Sequence, residues 1–366
     1  MKQDCLLCER TSPDNNLYCQ EIYCPAEMSP TVLDHGEWLG NIEIVKPIMV
    51  LRSSVLYEAR YQKNKVLLKV AHPGAENRER LKREAAFLQS VQRGKARPEH
   101  LPRLLPPYTN ARIEHEPYGK VVLRGHLLYY CLFEHFSGEP LRDILSKNRQ
   151  MWVYHIGWIM TNLATAVAYL QSKGIFHYGI SPDTLLVRLS DESTAPGILL
   201  FDLGVVSDRN TLAANWYRFV VRPAYTAPEL IDVRRPSASY ATDVYGLGLT
   251  LYELLVGEPP YPYKLSGDDA VYEAVRQRRR VAMTRSADIA PAAKIALKAI
   301  DDQLAARYQT ALEMAQELEA WIGEAPVKDR GLGWKVGVLV AGAVLAIIIL
   351  VVVVALNADR LQAVTG

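Results

Sequence analysis

Phe176-His177-Tyr178-Gly179-Ile180-Ser181-Pro182-Asp183-Thr184-Leu185-Leu186-Val187 is the stretch on which the fold reading turns. Upstream of it, Ile156, Ile159, Met160, Leu163, Ala166, Val167 and Leu170 recur at helical spacing, and Gly174 is the stop signal that follows. Downstream, Gly197-Ile198-Leu199-Leu200-Phe201 has the unbroken apolar character of a buried strand and ends at Asp202. The stretch therefore links a packed helix to a packed strand. Further on come Tyr225-Thr226-Ala227-Pro228-Glu229 and Thr242-Asp243-Val244-Tyr245-Gly246-Leu247-Gly248, the second of which begins another helical run.

His177 lies 25 positions before Asp202, and Asp202-Leu203-Gly204 precedes Ala227-Pro228-Glu229. That order of motifs resembles the catalytic half of a eukaryotic-type Ser/Thr protein kinase, whose loop reads His-Arg-Asp-Leu-Lys-Pro-x-Asn. In this chain His177 keeps its place. Tyr178 stands for the Arg, Gly179 for the catalytic Asp, Ser181 for the Lys and Thr184 for the Asn. The resemblance covers about residues 40–322 and implies a two-lobed α+β fold, with an N-lobe over 38–136 and a C-lobe over 137–324.

The N-lobe motifs follow the same frame. Leu56-Tyr57-Glu58-Ala59 is similar to the family's Val-Tyr-x-Ala, which places its three loop glycines on Met49, Leu51 and Ser54. Glycine lets backbone N–H groups approach phosphate oxygens, so side chains at these positions are expected to hold the loop away from phosphate. Lys69 falls on the strand lysine. Glu84, on a helix fifteen residues later, falls on its ion-pair partner. Phe133-Glu134-His135-Phe136 lies where the family binds adenine through backbone groups, so Glu134 and Phe136 join Lys69, Glu84 and Asp202 as the implied nucleotide contacts. Asp202 would also carry Mg2+. Structural parts are implied as well: Asp243 bracing the loop backbone, and Glu229 paired with Arg307.

Two additions flank this domain. Residues 1–30 contain Cys5, Cys8, Cys19 and Cys24 in two short hooks, a segment too short to bury a core. Four thiolates at such spacing suit a structural Zn2+, as in a zinc ribbon, and two disulfides or idle thiols are the alternative. After a linker at 325–335, residues 336–356 give 21 positions without a charge, about 32 Å as a helix against a hydrocarbon core of about 30 Å. Lys328, Arg330 and Lys335 precede this single-pass segment, whereas Asp359 and Arg360 nearly cancel in the short tail 357–366. The positive-inside rule then places the kinase-like domain in the cytoplasm and the tail outside the cell membrane.

A hydrophobic fraction of 49% and a charged fraction of 22% are ordinary for a globular protein, and a net charge of +2 gives no case for nucleic acid. Phosphoryl transfer needs an oriented hydroxyl and clamped, neutralised phosphates. Gly179, Ser181 and Thr184 remove three of the groups that supply these, while Lys69, Glu84 and Asp202 remain. The sequence thus points to a pseudokinase held at the membrane, serving as a signalling scaffold for a protein partner or as a switch that responds to ATP and Mg2+. A weakly active Ser/Thr kinase using another base and an adaptor that binds no nucleotide are the competing readings. The cysteine hooks generate a first test. The purified chain is expected to carry one zinc, and replacing Cys5 and Cys8 with Ser should remove it; unchanged metal content in that variant would dismiss the site.

Overall fold

The computed structural model describes residues 3–4, 11–12, 32–94, 98–123, 125–189, 195–203, 221–231, 239–261, 268–280, 282–283 and 289–323. The four hook cysteines, Gly204 and the apolar segment 336–356 lie outside these residues. Among the described residues no helix is long and apolar enough to cross a membrane, and no cluster of His, Cys, Asp and Glu could hold a metal ion.

The first lobe is an antiparallel sheet. Strands β1 (Ile42–Val50), β2 (Ser54–Tyr61) and β3 (Asn64–Ala71) form a meander, and β3 then pairs with β5 (His126–Glu134). β4 (Gly119–Leu123) and the short strand Leu104–Leu105 both pair with β5. Alternation along β3 sorts its side chains: Val66, Leu68 and Val70 enter a core on the outer face, while Leu67 and Ala71 belong to the core shared with the second lobe. Lys69 has the same parity as Leu67, so it points toward the second lobe although it is buried. Opposite it on β5 is Cys131, a fully buried residue whose thiol burial pushes well above the usual range.

Helix α1 (Ala75–Arg93) crosses this sheet. Arg80, Leu81, Glu84, Ala85 and Leu88 recur three or four apart and make up its buried face. Two charged residues on that stripe need partners from elsewhere.

The second lobe is helical. α2 (Leu141–Lys147) and α3 (Val153–Ser172) lead to the loop at 176–184, and a small sheet follows from Glu139–Pro140, β6 (Leu185–Arg188) and β7 (Gly197–Leu200). α4 (Tyr240–Val256) is buried on nearly every side. It starts in a capping box between Ser239 and Thr242 and stops at Gly257, whose φ of 83° is left-handed. A Cβ at Gly257 would come within 2.3 Å of the Arg149 carbonyl, so the turn requires glycine. α5 (Asp268–Arg276), α6 (Ala290–Ala299) and α7 (Ala311–Ile322) complete the lobe. α7 lies against α3 so closely that a Cβ at Gly157 would sit 2.1 Å from Ile322. The expected two-lobed α+β architecture is thus observed.

Arg307 bonds Glu229 through both terminal nitrogens, at 2.9 and 3.1 Å, and stacks over Tyr245 at 4.7 Å. Both side chains are buried. Removing one partner leaves an uncompensated buried charge, so Glu229→Ala should cost about 3–5 kcal/mol. Urea unfolding would measure this, and a loss below about 1 kcal/mol would show that the pair is not a folding element.

Candidate nucleotide cleft and catalytic loop

The loop after α3 is held from below. Asp243 on α4 accepts the backbone N–H of His177, at 2.9 Å to one oxygen, and that of Tyr178 at 2.7 Å. Those bonds hold Tyr178 at a φ of 60°, an unusual value for an aromatic residue. The Tyr178 ring is buried and stacks on Phe176 with centroids 5.2 Å apart and planes 8° from parallel. An apolar stack thus occupies the position of the family's arginine.

His177 is fixed as a neutral tautomer. Its Nε2 contacts the Phe201 carbonyl at 3.1 Å, which needs a donor, and its Nδ1 accepts the Gly179 N–H at 3.2 Å. Burial reinforces this and pushes its pKa down to about 4. Thr184, at the family's second metal ligand, donates its hydroxyl to the Ser181 carbonyl at 2.9 Å. Asp183 is not free: Arg142 contacts its two oxygens at 2.9 Å each, and Arg222 reaches it at 3.1 Å. Arg142 also pairs with Glu253 and donates to the Tyr225 hydroxyl, and that hydroxyl bonds Glu253. This buried network joins the catalytic loop, Pro223–Tyr225 and α4.

Above the loop, the charged face of α1 meets Asp202. Lys69 Nζ donates to Glu84 at 2.5 Å and to Asp202 Oδ1 at 3.0 Å, and Glu84 accepts the Leu203 N–H at 3.3 Å. Arg80 Nη2 approaches Asp202 Oδ2 at 3.5 Å. Burial pushes the Asp202 carboxyl up, but Lys69 and Arg80 outweigh it and hold it at about 2. Burial also disfavours the Lys69 ammonium, and Asp202 with Glu84 more than restores it. The structure therefore brings Lys69, Glu84 and Asp202 together. It adds Arg80, which the sequence reading did not single out; its signal is spacing, four residues before Glu84 and one turn along the same face.

The β1–β2 loop folds down into the cleft. Met49, Leu51 and Ser54 are all buried, the Ser53 hydroxyl reaches Asp202 at 3.4 Å, and His72 Nε2 ties the Leu51 carbonyl at 2.9 Å. The cause is the side chains themselves: burying a Met or Leu is worth about 1.5–3 kcal/mol, so residues placed where glycines would be turn inward. Arg52, at the tip, bonds Asp268 of α5 at 3.3 Å and ties the loop to the second lobe.

At the hinge, Glu134 is exposed. Its N–H donates to the Arg103 carbonyl at 2.9 Å and its carboxylate pairs with Arg103 at 3.0 Å. Behind it Phe133 meets Phe201 edge to face at 5.7 Å. Phe136 lines a cavity of about 560 Å3 together with Ile48, Ile144, Val187, Lys46 and Arg188; neither Lys69 nor Asp202 lines it. Glu134 and Phe136 thus lie apart from the charged cluster, which is enclosed by protein atoms.

Mg2+, which a kinase domain implies, does not fit these residues as they stand. Asp202 is already neutralised by two cations, and the Thr184 hydroxyl is turned to Ser181.

A two-lobed fold with this loop and this Lys–Glu–Asp set defines the protein kinase class. The protein kinase domain family matches residues 119–318, more than half of the chain. The chain belongs to that family, as a member of the eukaryotic-type Ser/Thr kinases. It is 29% identical over 209 residues to the probable serine/threonine-protein kinase CE0033 of Corynebacterium efficiens, a match covering 55% of this chain and 30% of that protein. It is 28% identical over 207 residues to the serine/threonine-protein kinase PknB of Mycolicibacterium smegmatis, covering 54% and 31%. The match therefore spans under a third of the length of these curated relatives. The kinase domain of Mycobacterium tuberculosis PknI shares the fold with a TM-score of 0.53 at 19% identity, over 80% of this chain and 100% of that one.

The buried neutral imidazole makes a pH prediction. The folded pKa of His177 lies below the ordinary value of 6.5, so its contribution to stability is complete above about 6.5 and is lost as pH falls toward 4. At about 1.4 kcal/mol per pKa unit this amounts to about 3 kcal/mol. The difference in unfolding free energy between the native chain and His177→Gln should shrink by that order from pH 7 to pH 4. A difference that stays constant over the window would refute the assignment.

Proposed function

We propose that the chain is a pseudokinase: a membrane-held signalling scaffold for a protein partner, whose cleft acts as a nucleotide-responsive switch. One observation carries this reading. Gly179 stands where a carboxylate must orient the attacking hydroxyl, and the adjacent Asp183 is locked between Arg142 and Arg222. A positioned general base contributes about 10²–10⁴-fold to such a step, and no other carboxylate of the loop at 176–184 replaces it. The tether is proposed from the uncharged run 336–356 and the Lys and Arg residues before it, with the kinase-like domain in the cytoplasm. Zn2+ on Cys5, Cys8, Cys19 and Cys24 is proposed from their spacing.

The assembled Lys69–Glu84–Asp202 set favours a second reading, a weakly active Ser/Thr kinase that transfers the ATP γ-phosphate to protein hydroxyls. A transfer assay on the full chain with labelled ATP, Mg2+ and a generic protein substrate separates the two. Incorporation is expected at background. Gly179→Asp alone should not raise it, because Ser181 and Thr184 are unchanged and groups acting as a unit are not additive. Incorporation by the native chain that disappears in Asp202→Ala would establish the kinase reading instead.

A further inference from the structure

We propose that the cavity beside the hinge takes a small organic anion with an apolar body, seated against Phe136 and held by Arg188. Its volume of about 560 Å3 falls within the range of small-molecule sites, and neither Lys69 nor Asp202 lines it. The cavity is therefore separate from the contacts on which the switch reading rests, and the proposal stands whether or not ATP binds. The interior behind the hinge is filled by side chains. Leu67 stands where the family's strand carries alanine, two residues before the lysine, and it is fully buried. It pairs across the sheet with Phe133, whose ring meets Phe201 at 5.7 Å, and none of these three lines the cavity.

What remains open has an apolar floor and a cationic rim. Ile48 of β1, Phe136 of the hinge, Ile144 of α2 and Val187 of β6 supply the floor. A Cβ at Gly138 would come within 2.5 Å of Phe136 Cε1, so glycine is what lets the ring fold back over that backbone. On the rim, Lys46, Lys65, Lys147 and Arg188 face only two carboxylates, Glu58 and Glu139. The three lysines are engaged: Lys46 and Lys65 share Glu58 at 3.6 and 3.2 Å, and Lys147 meets Glu139 at 2.6 Å. Arg188 differs. Its guanidinium lies 5.1 Å from the centre of the Phe136 ring, and it is exposed and pairs with no carboxylate among the described residues. A guanidinium offers a planar fork of donors that matches a carboxylate or a phosphate-type group, and it keeps that fork while stacked on an aromatic face. An apolar body on the floor with an anionic group at the rim satisfies both parts of the cavity. A cation of the same shape would meet the surplus positive charge instead.

The test is calorimetric titration of the full chain in detergent with 1-naphthoate and with 1-naphthylmethylammonium, two ions of the same body and opposite charge, each corrected by a detergent blank. The expected result is saturable binding of 1-naphthoate at one site and an affinity for the ammonium weaker by about tenfold or more. Arg188→Gln should weaken 1-naphthoate by about tenfold, and Arg188→Lys should retain part of the affinity. Arg60→Gln, which removes a half-exposed arginine outside the cavity, should leave it unchanged. If Arg188→Gln does not fold, Arg188→Lys and the comparison of the two ions on the native chain decide. No saturable binding of 1-naphthoate, equal affinity for the two ions, an equal loss in Arg60→Gln, or undiminished binding in folded Arg188→Gln would overturn the inference. Displacement of 1-naphthoate by ATP with Mg2+ at equal or lower concentration would make the cavity a nucleotide seat and overturn the ligand class. None of these outcomes reads phosphate transfer, so failure here is separate from failure of the pseudokinase reading.

Discussion

A single carboxylate sets the frame. Asp243, buried on the central helix, gathers the backbone N–H groups of His177 and Tyr178 and so fixes where the loop from 176 to 184 must run. From that fixed loop the His177 ring reaches up to the Phe201 carbonyl, which places the start of the Asp202 turn. Asp202 in turn receives Lys69 and Arg80 from the first lobe. The relative setting of loop, strand and α1 is thus a chain of buried polar contacts that begins on α4. Burial outweighs the two backbone donors and pushes the Asp243 carboxyl up to about 7, and either protonation state can accept those N–H groups.

Retained frame and altered chemistry sit in different kinds of position. Every residue that carries the frame bonds to backbone or to a buried partner: Asp243 to the loop, Glu229 to Arg307, Glu84 to Lys69 and the Leu203 N–H. The altered positions, Gly179, Ser181 and Thr184, are those whose side chains would have faced a substrate or metal. The polar groups around them pair locally. Thr184 closes onto Ser181, and Asp183, Arg142 and Arg222 tie the loop to the Pro223–Tyr225 turn. Thr184 and Asp183 thus have their side-chain oxygens engaged within the protein.

Much of this was legible in the residues because it is periodic or bound to motif spacing. The parity of β3 turns Lys69 toward the cleft, and the spacing to Glu84 supplies its partner. Arg307 and Glu229 were legible as a pair for the same reason. What could not be read depends on where apolar side chains go when glycine is absent. Met49 and Leu51 fall on glycine positions of the family frame and are both buried, since solvent exposure is the worse alternative for them. Arg80 is hidden by composition: α1 is rich in Arg and Glu, and composition alone does not tell which arginine faces inward. Arg52 and Asp268 are 216 residues apart, and no local pattern announces a contact at that range. The cysteine hooks and the uncharged run are legible as sequence and lie outside the described residues.

Cys131 gives the chain an experimental convenience. It is wholly enclosed between β3 and the second-lobe core, and burial keeps its thiol protonated. Alkylating reagents attack thiolates that they can reach, and this sulfur offers neither property. The remaining cysteines of the sequence all fall within the first 24 residues. Maleimide chemistry on the folded chain is therefore addressed to that end alone, without mutating any residue. A fluorophore placed there in native protein, or a change in labelling rate when chelator is added, would report on the first 24 residues with no background from Cys131.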